Sequence, residues 1–343
     1  MSASRNLLLG LLFGLIAGAF WGGVFLAPKL LAAFTPLQMT AGRYIAYGLA
    51  SAVLLAPSWK TVMAKMTAKD WRDLAALSLL GNLIYYVGLS VSVQSAGVAL
   101  ASLIIGLLPV TVTLVGAKPG EGVPLRHLAA PLALVVAGGI CINVSVFTDG
   151  HGVGIGKQVV GVLGATLALA MWTAYAVWNA RRLAATPKFT SHEWSLLTGL
   201  ATGLLSLALV VPAFALGGEA RAPAAHTLEA WGWFWMVSFA VAIGASVIGN
   251  GLWNAASRLL PLSLSGQLIV FETLFALLYG FLHEGRWPRG LETAAIVLML
   301  AGVLIGPLVD GAALDGMQQA LADARELGFH RHAARRGARG HVE

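Results

Sequence analysis

The chain has 343 residues, 58% of them hydrophobic and 11% charged, with a mean hydropathy of +0.79. A soluble domain carries about 25% charged residues, so this apolar excess excludes an ordinary soluble globule. The formal charge is +7, but the basic residues sit between apolar segments and in the tail, a pattern that argues against nucleic acid as a partner. The single cysteine, Cys141, excludes an intrachain disulfide and a thiolate metal cluster.

Apolar segments of about 20 residues, each long enough to cross about 30 Å of hydrocarbon, recur along the chain. The spacing predicts ten membrane-spanning helices over 7–28, 37–57, 74–95, 98–117, 128–147, 159–181, 194–217, 231–253, 262–282 and 291–309. The first is longer than the apolar core of a signal peptide and is followed by further spans, so it reads as a retained helix. Within it Gly10, Gly14, Gly18 and Gly22 recur every four residues; small residues so spaced let two backbones approach closely in lipid. Trp59, Trp71, Trp231, Trp233 and Trp287 fall at span ends, where tryptophan marks the membrane interface. With the N-terminus inside, only Lys29, Lys157, Arg221, Arg286 and Arg289 of the 22 Lys and Arg fall outside and Arg43 lies within a span. The positive-inside rule therefore puts both termini in the cytoplasm of a multi-pass inner-membrane protein.

The two halves resemble each other. Trp21 and Trp172 stand as far apart as Pro36 and Pro187. The stretch Val87–Val110 can be laid without gaps over Asn250–Thr273, so that Gly88 meets Gly251 and Pro109 meets Glu272. Five spans per half is odd, so the second half enters the membrane inverted, as in transporters whose site lies at the repeat interface near the midplane. The expected organisation is all-α: two inverted five-helix repeats, 1–150 and 151–310, around a central cavity. A basic cytoplasmic tail, 311–343, follows and can touch anionic lipid.

The opening residues carry a Trp21-Gly22 step, Lys29, Pro36 and Arg43-Tyr44 in order. They resemble the first two helices of EamA-type members of the drug/metabolite transporter superfamily. The segments Ala101–Ala117 and Phe271–Pro288 resemble the ends of that family's two repeats. The family's usual Leu-Glu-Pro in the second repeat is here Phe271-Glu272-Thr273, and its later Gly-Glu stands reversed as Glu284-Gly285. The lost proline puts the helix break of the ninth span in question. The resemblance covers about residues 7–309. It implies a ten-helix carrier working by alternating access, in a family that includes exporters of amino acids and other small metabolites.

The polar residues of the spans define the candidate site. Glu272, expected about ten residues into its helix and so near the midplane, is costly to bury ionised, by about 2.5–3.5 kcal/mol on insertion scales. It reads either as a binding or proton-coupling group or as a hydrogen-bonded carboxyl locking two helices. Pro109 reads as a hinge whose freed carbonyl faces substrate, or as a static kink. Asn82, Tyr86, Ser90 and Gln94 share one face of the third span; Asn250, Trp253, Asn254 and Ser257 share one face of the eighth; Trp172, Tyr175, Trp178 and Asn179 mark the sixth. Such faces avoid lipid and point inward, bonding neighbouring helices or lining a cavity. The substrate-site candidates are Trp21, Asn82, Tyr86, Ser90, Trp172, Tyr175, Asn250, Trp253, Gln267 and Glu272, with Glu272 and Pro109 as coupling or hinge residues. Arg43 reads as snorkelling to the outer interface or guiding an anionic group there.

The leading expectation is a secondary transporter exporting a small organic metabolite, an amino acid or similar amphipathic molecule. Efflux of lipophilic cations, with Glu272 shared by proton and drug, is the alternative. An integral-membrane enzyme ranks below both, because the spans hold no central histidine and no paired reactive groups. No cofactor or metal is expected. The partners are a small-molecule substrate, lipid and protons at Glu272; oligomeric state stays open.

Overall fold

The computed structural model describes residues 3–116, 125–148, 154–185, 188–215, 226–260 and 268–309, and among these the regular structure is entirely helical. The first three spans are α1 (Ala3–Gly22) running on through a short 3₁₀ turn into α2 (Ala27–Leu30), then α3 (Pro36–Leu55), which a 3₁₀ turn joins to the short helix α4 (Trp59–Lys65), and α5 (Ala68–Ser78) continuing into α6 (Tyr85–Ile105). Next come α7 (Leu108–Gly116), α8 (Leu125–Thr148) and the long α9 (Ile155–Ala185). The rest is α10 (Ser191–Leu207), α11 (Val210–Phe214), α12 (Leu228–Val241), α13 (Asn250–Leu259), α14 (Val270–Glu284) and α15 (Gly290–Val309). Among the described residues, five stretches are long and apolar enough to cross a membrane: Arg5–Leu30, Pro36–Lys65, Ala68–Val98, Ile155–Ala185 and Leu228–Leu259. Val53, Leu163, Leu204 and Leu282 stand well exposed on the outside, an apolar surface that suits lipid and not water.

Four threonines start helices in the same way. Thr35, Thr67, Thr190 and Thr227 are N-caps whose side chains accept from the backbone N–H of Gln38, Asp70, Glu193 and Ala230. The first three complete capping boxes, the third residue reaching back to the cap's own N–H. Each box satisfies two amides that the helix start leaves orphaned. Thr190→Ala should cost about 1 kcal/mol, read as a lowered melting temperature in detergent.

Two long helices carry a π-helical segment, Leu79–Ile84 between α5 and α6 and Ala242–Gly249 between α12 and α13. The two begin at the separation that relates Gly88 to Gly251. Two breaks share that separation. Gly97, with φ +87°, turns the chain within α6, a conformation that suits glycine; its counterpart Leu260 ends α13 in extended backbone. Gly106 ends α6 ahead of α7, and Ile269 precedes α14. In the ninth span Ile269 is a one-residue turn between helical Leu268 and α14, and 261–267 lie outside the described residues.

Glycine decides how closely the helices approach. A Cβ at Gly18 would lie 2.6 Å from Phe271 Cβ, and one at Gly22 2.7 Å from the backbone N of Ala276. Gly18 and Gly22 are therefore seated on α14, while Gly10 and Gly14 face Leu260 and Leu268. At the crossing of α3 and α10, a Cβ on Gly48 would lie 2.7 Å from Gly203 Cα. At that of α6 and α9, a Cβ on Gly88 would lie 2.7 Å from the Gly164 carbonyl oxygen. Tyr279 donates to the Ala19 carbonyl at 2.9 Å, tying α14 to α1. Gly285, with φ +61°, closes α14 by a Schellman turn in which the N–H of Arg286 donates to the Phe281 carbonyl at 3.1 Å.

Candidate functional site

A small cleft of about 20 Å³ lies where α1, α3, the third span, α9, α13 and α14 converge. Aromatic and aliphatic walls come from Trp21, Val24, Tyr44, Tyr85 and Trp172; Gly81 leaves room; Asn82, Asn250, Arg43 and Glu272 supply polar groups. The accessible lining is more polar than apolar, and convergent polar groups of this kind fix a ligand's orientation in small-molecule sites.

The aromatic wall is a cluster. The Trp21 ring lies 5.6 Å from Trp172, nearly perpendicular to it, and 5.2 Å from Trp253; Trp172 and Trp253 are 5.9 Å apart. Edge-to-face and tilted contacts of this kind suit the ring quadrupole. Trp21 is oriented by its indole N–H, which donates to the Ala245 carbonyl at 3.0 Å, inside the second π segment. That carbonyl also accepts the backbone N–H of Asn250, five residues on, so one acceptor serves both the π turn and the indole. The first π segment holds Gly81, where a Cβ would lie 2.3 Å from Tyr175 Cγ. Tyr175 in turn packs on Trp172 at 5.8 Å.

Each sequence candidate can now be located. Trp21, Asn82, Trp172, Asn250 and Glu272 line the cleft. Trp253 backs it through the ring cluster, and Tyr175 supports Trp172. Tyr86 lies beneath Arg43, and the Ser90 hydroxyl is buried one turn on. Asn82 also donates to Thr202 Oγ1 at 3.0 Å, so one amide serves both cleft and packing. Gln267 lies outside the described residues. Among the described residues, no three metal-ligating side chains come together.

Four expectations need correction. Glu272 is not ten residues into a helix: α14 begins at Val270, which puts Glu272 in its first turn. Pro109 does not kink a helix interior. It is the second residue of α7, where the missing N–H breaks no intrahelical bond; the break lies just before it at Gly106. Trp178 does not face inward but is 40% exposed on the outside of α9. Arg43 does not snorkel. It is 7% exposed, and its guanidinium carbon sits 4.3 Å from the Tyr86 ring centroid and 4.9 Å from that of Tyr44. Desolvated cation–π contacts of this kind stabilise the charge where water cannot.

The polar faces divide by role. Asn254 accepts from Asn179 Nδ2 at 2.9 Å, and Asn179 Oδ1 accepts from the Trp194 indole at 2.8 Å. That chain of bonds joins α9, α10 and α13 away from the cleft. Below it Arg182 pairs with Asp70 and, at 2.8 Å, with Asp73, while Lys188 reaches Asp70 at 2.6 Å and Lys65 reaches Glu193 at 2.9 Å. These ions tie the α4–α5 region to the end of α9 and the start of α10.

Sequence reasoning left Val24, Arg43, Tyr44, Gly81 and Tyr85 off the candidate set. Arg43 carried a usable signal, an arginine inside an apolar span with tyrosines beside it. Its depth becomes visible only when Tyr86 arrives from another helix.

A polytopic helical protein with a polar cleft among its helices has the form of a membrane transporter, and comparison agrees. Residues 8–144 match the model of the EamA-like transporter family. Inner membrane protein YtfF of Escherichia coli (strain K12) is 30% identical over 313 residues, 86% of this chain and 94% of that protein. A protein of known crystal structure shares the fold with a TM-score of 0.65 at 21% identity, over 88% of this chain and 98% of its own. The chain belongs to the EamA-like transporter family, within the drug/metabolite transporter superfamily, as a multi-pass inner-membrane protein.

Proposed function

We propose that the chain is a secondary transporter exporting a small organic metabolite, an amino acid or similar amphipathic molecule, across the inner membrane by alternating access. The observation that carries this reading is the cleft itself. It joins a tryptophan cluster to one cation, one carboxylate and two amides among its lining residues. Apolar ring faces suit the body of an amphipathic molecule and the polar groups its head.

The inverted five-plus-five arrangement, 1–150 and 151–310 with both termini cytoplasmic, draws support from the shared separation of the π segments and the breaks. Irregularities that recur in register argue for duplicated units. Discontinuous helices beside a site are a transporter habit. In this reading the breaks at Gly106 and Ile269 are the flexible points, and Glu272 is the substrate- or proton-coupling group.

The test is Glu272→Gln in proteoliposomes, with amino-acid efflux followed under an imposed proton gradient. We expect at least a tenfold loss of gradient-driven efflux, about 1.4 kcal/mol or more, with the protein still folded. Unchanged rate and pH dependence would remove Glu272 from the mechanism. The tryptophan cluster and Glu272 together also suit a lipophilic cation; competition between protons and a cationic dye would favour that reading.

A further inference from the structure

Arg43 and the adjacent Tyr44 hydroxyl are cleft-lining groups whose bonding, among the described residues, is visibly incomplete, and of the two Arg43 carries the charge. Its Nη2 donates to Ser246 Oγ at 3.2 Å. Its Nε and Nη1 are buried and, among the described residues, neither has an acceptor. The rings of Tyr86 and Tyr44 face the guanidinium. They stabilise its charge, but ring faces do not accept its in-plane N–H donors. A guanidinium offers five donors in a fixed planar fork, and buried donors are normally satisfied. The group that best matches such a fork is a planar carboxylate.

We propose that Arg43 is the specificity-determining residue of the cleft and binds the carboxylate of the substrate, so that the cleft selects carboxylate-bearing metabolites over lipophilic cations. This rests on the transporter reading and narrows it. The charge balance points the same way. Among the described residues, Arg43 and Glu272 are the only oppositely charged pair lining the cleft. With Glu272 ionised the empty cleft is neutral; with Glu272 protonated it carries one positive charge. In neither state does an added cation gain over an anion or a zwitterion. A phosphate dianion would call for more than the single arginine present. Glu272, on the helix facing α1, is then free to meet an ammonium group when the substrate is a zwitterion, and Trp21 and Trp172 bound the remaining side chain.

The experiment uses purified full-length protein in detergent and two sets of matched compounds. One is L-phenylalanine, phenethylamine and 3-phenylpropanoate; the other is L-leucine, 3-methylbutylamine and 4-methylpentanoate. Inorganic phosphate is the further arm, and binding is read by thermal shift and tryptophan fluorescence. We expect carboxylate-bearing members of at least one set to bind at least tenfold tighter than the matching amine, the zwitterion tightest. Arg43→Gln should abolish that gap. Arg43→Lys, which keeps the charge but not the fork, should retain part of it. Ser246→Ala, which removes only the partner of Nη2, should leave the preference in place and keeps the test open where Arg43→Gln does not fold.

Equal binding of amine and acid, a gap that survives in Arg43→Gln, tighter binding of phosphate, or no carboxylate bound below about 10 mM overturns the proposal. Those results leave efflux by the wild-type protein standing. Loss of the transporter reading would instead show as absent wild-type efflux in proteoliposomes.

Discussion

Arg182→Ala should lower the melting temperature of the purified protein more than removal of any other single charge on that side of the molecule. One guanidinium serves two carboxylates: its Nη2 meets Asp70, and its Nε meets Asp73 at 2.8 Å. The Asp70 side chain is 0% exposed and that of Asp73 6%. Deleting one partner of a buried pair leaves an uncompensated charge and costs about 3–5 kcal/mol. Lys188 and Thr67 still reach Asp70, so the lower end of that range is expected. Arg182→Lys should recover only part, because an ammonium cannot span both carboxylates as the planar fork does. Lys65→Ala is the comparison. Its bond to Glu193 is 34% exposed at the lysine, and exposed pairs contribute less than about 1 kcal/mol. Equal shifts for Arg182→Ala and Lys65→Ala would show that the cluster is wetter than its geometry implies.

Gly48→Leu should disrupt the fold at least as severely. The Cβ of any side chain there would lie 2.7 Å from Gly203 Cα, and a Cβ on Gly203 would lie 2.5 Å from Gly48 Cα. Both obstacles are backbone, so neither can rotate aside. Helices in lipid are held by close packing rather than by hydrophobic exclusion from water, and forcing them apart forfeits contacts along the whole crossing. Overpacking costs about 1–3 kcal/mol even where side chains can shift. Folded yield and melting temperature should both fall. Gly203→Leu should give the same phenotype, and the double variant should be far from additive, since both changes act on one contact. Gly280→Ala, with nothing within 4 Å of a built Cβ, should be tolerated. Tolerance at Gly48 would mean that the crossing is looser in the membrane than the structure has it.

What the sequence made legible followed from solvent and period. Runs of apolar residues of the right length located the helical segments, because a chain in lipid must satisfy its backbone within each helix. The four-residue glycine stripe announced a close helix contact, though not that α14 would be the partner. Asn82, Asn250, Trp21 and Trp172 line the cleft, in keeping with the rule that amides and indoles in a span have few places to go but inward. The misses lay where one residue's meaning depends on another helix. Arg43 looked like a snorkelling side chain until Tyr86 and Ser246 closed around it. Trp178 shared a helix with Trp172 and Tyr175 but not their face. The π segments and the turn at Ile269 leave no trace in hydropathy, since a wider or interrupted turn changes side-chain direction without changing composition.

The interruption at Ile269 has an electrostatic result. The 15 residues of α14 reach about 22 Å at 1.5 Å per residue, short of the roughly 30 Å of hydrocarbon. Its start carries the partial positive charge of a helix N-terminus, roughly half a proton charge, and the Glu272 N–H there donates to the Ile269 carbonyl at 3.0 Å. Glu272 occupies that first turn. A carboxylate in that turn complements the positive end of its own helix, worth about 0.3–1 kcal/mol, so a neutral side chain there removes a small backbone interaction as well as the cleft's negative charge.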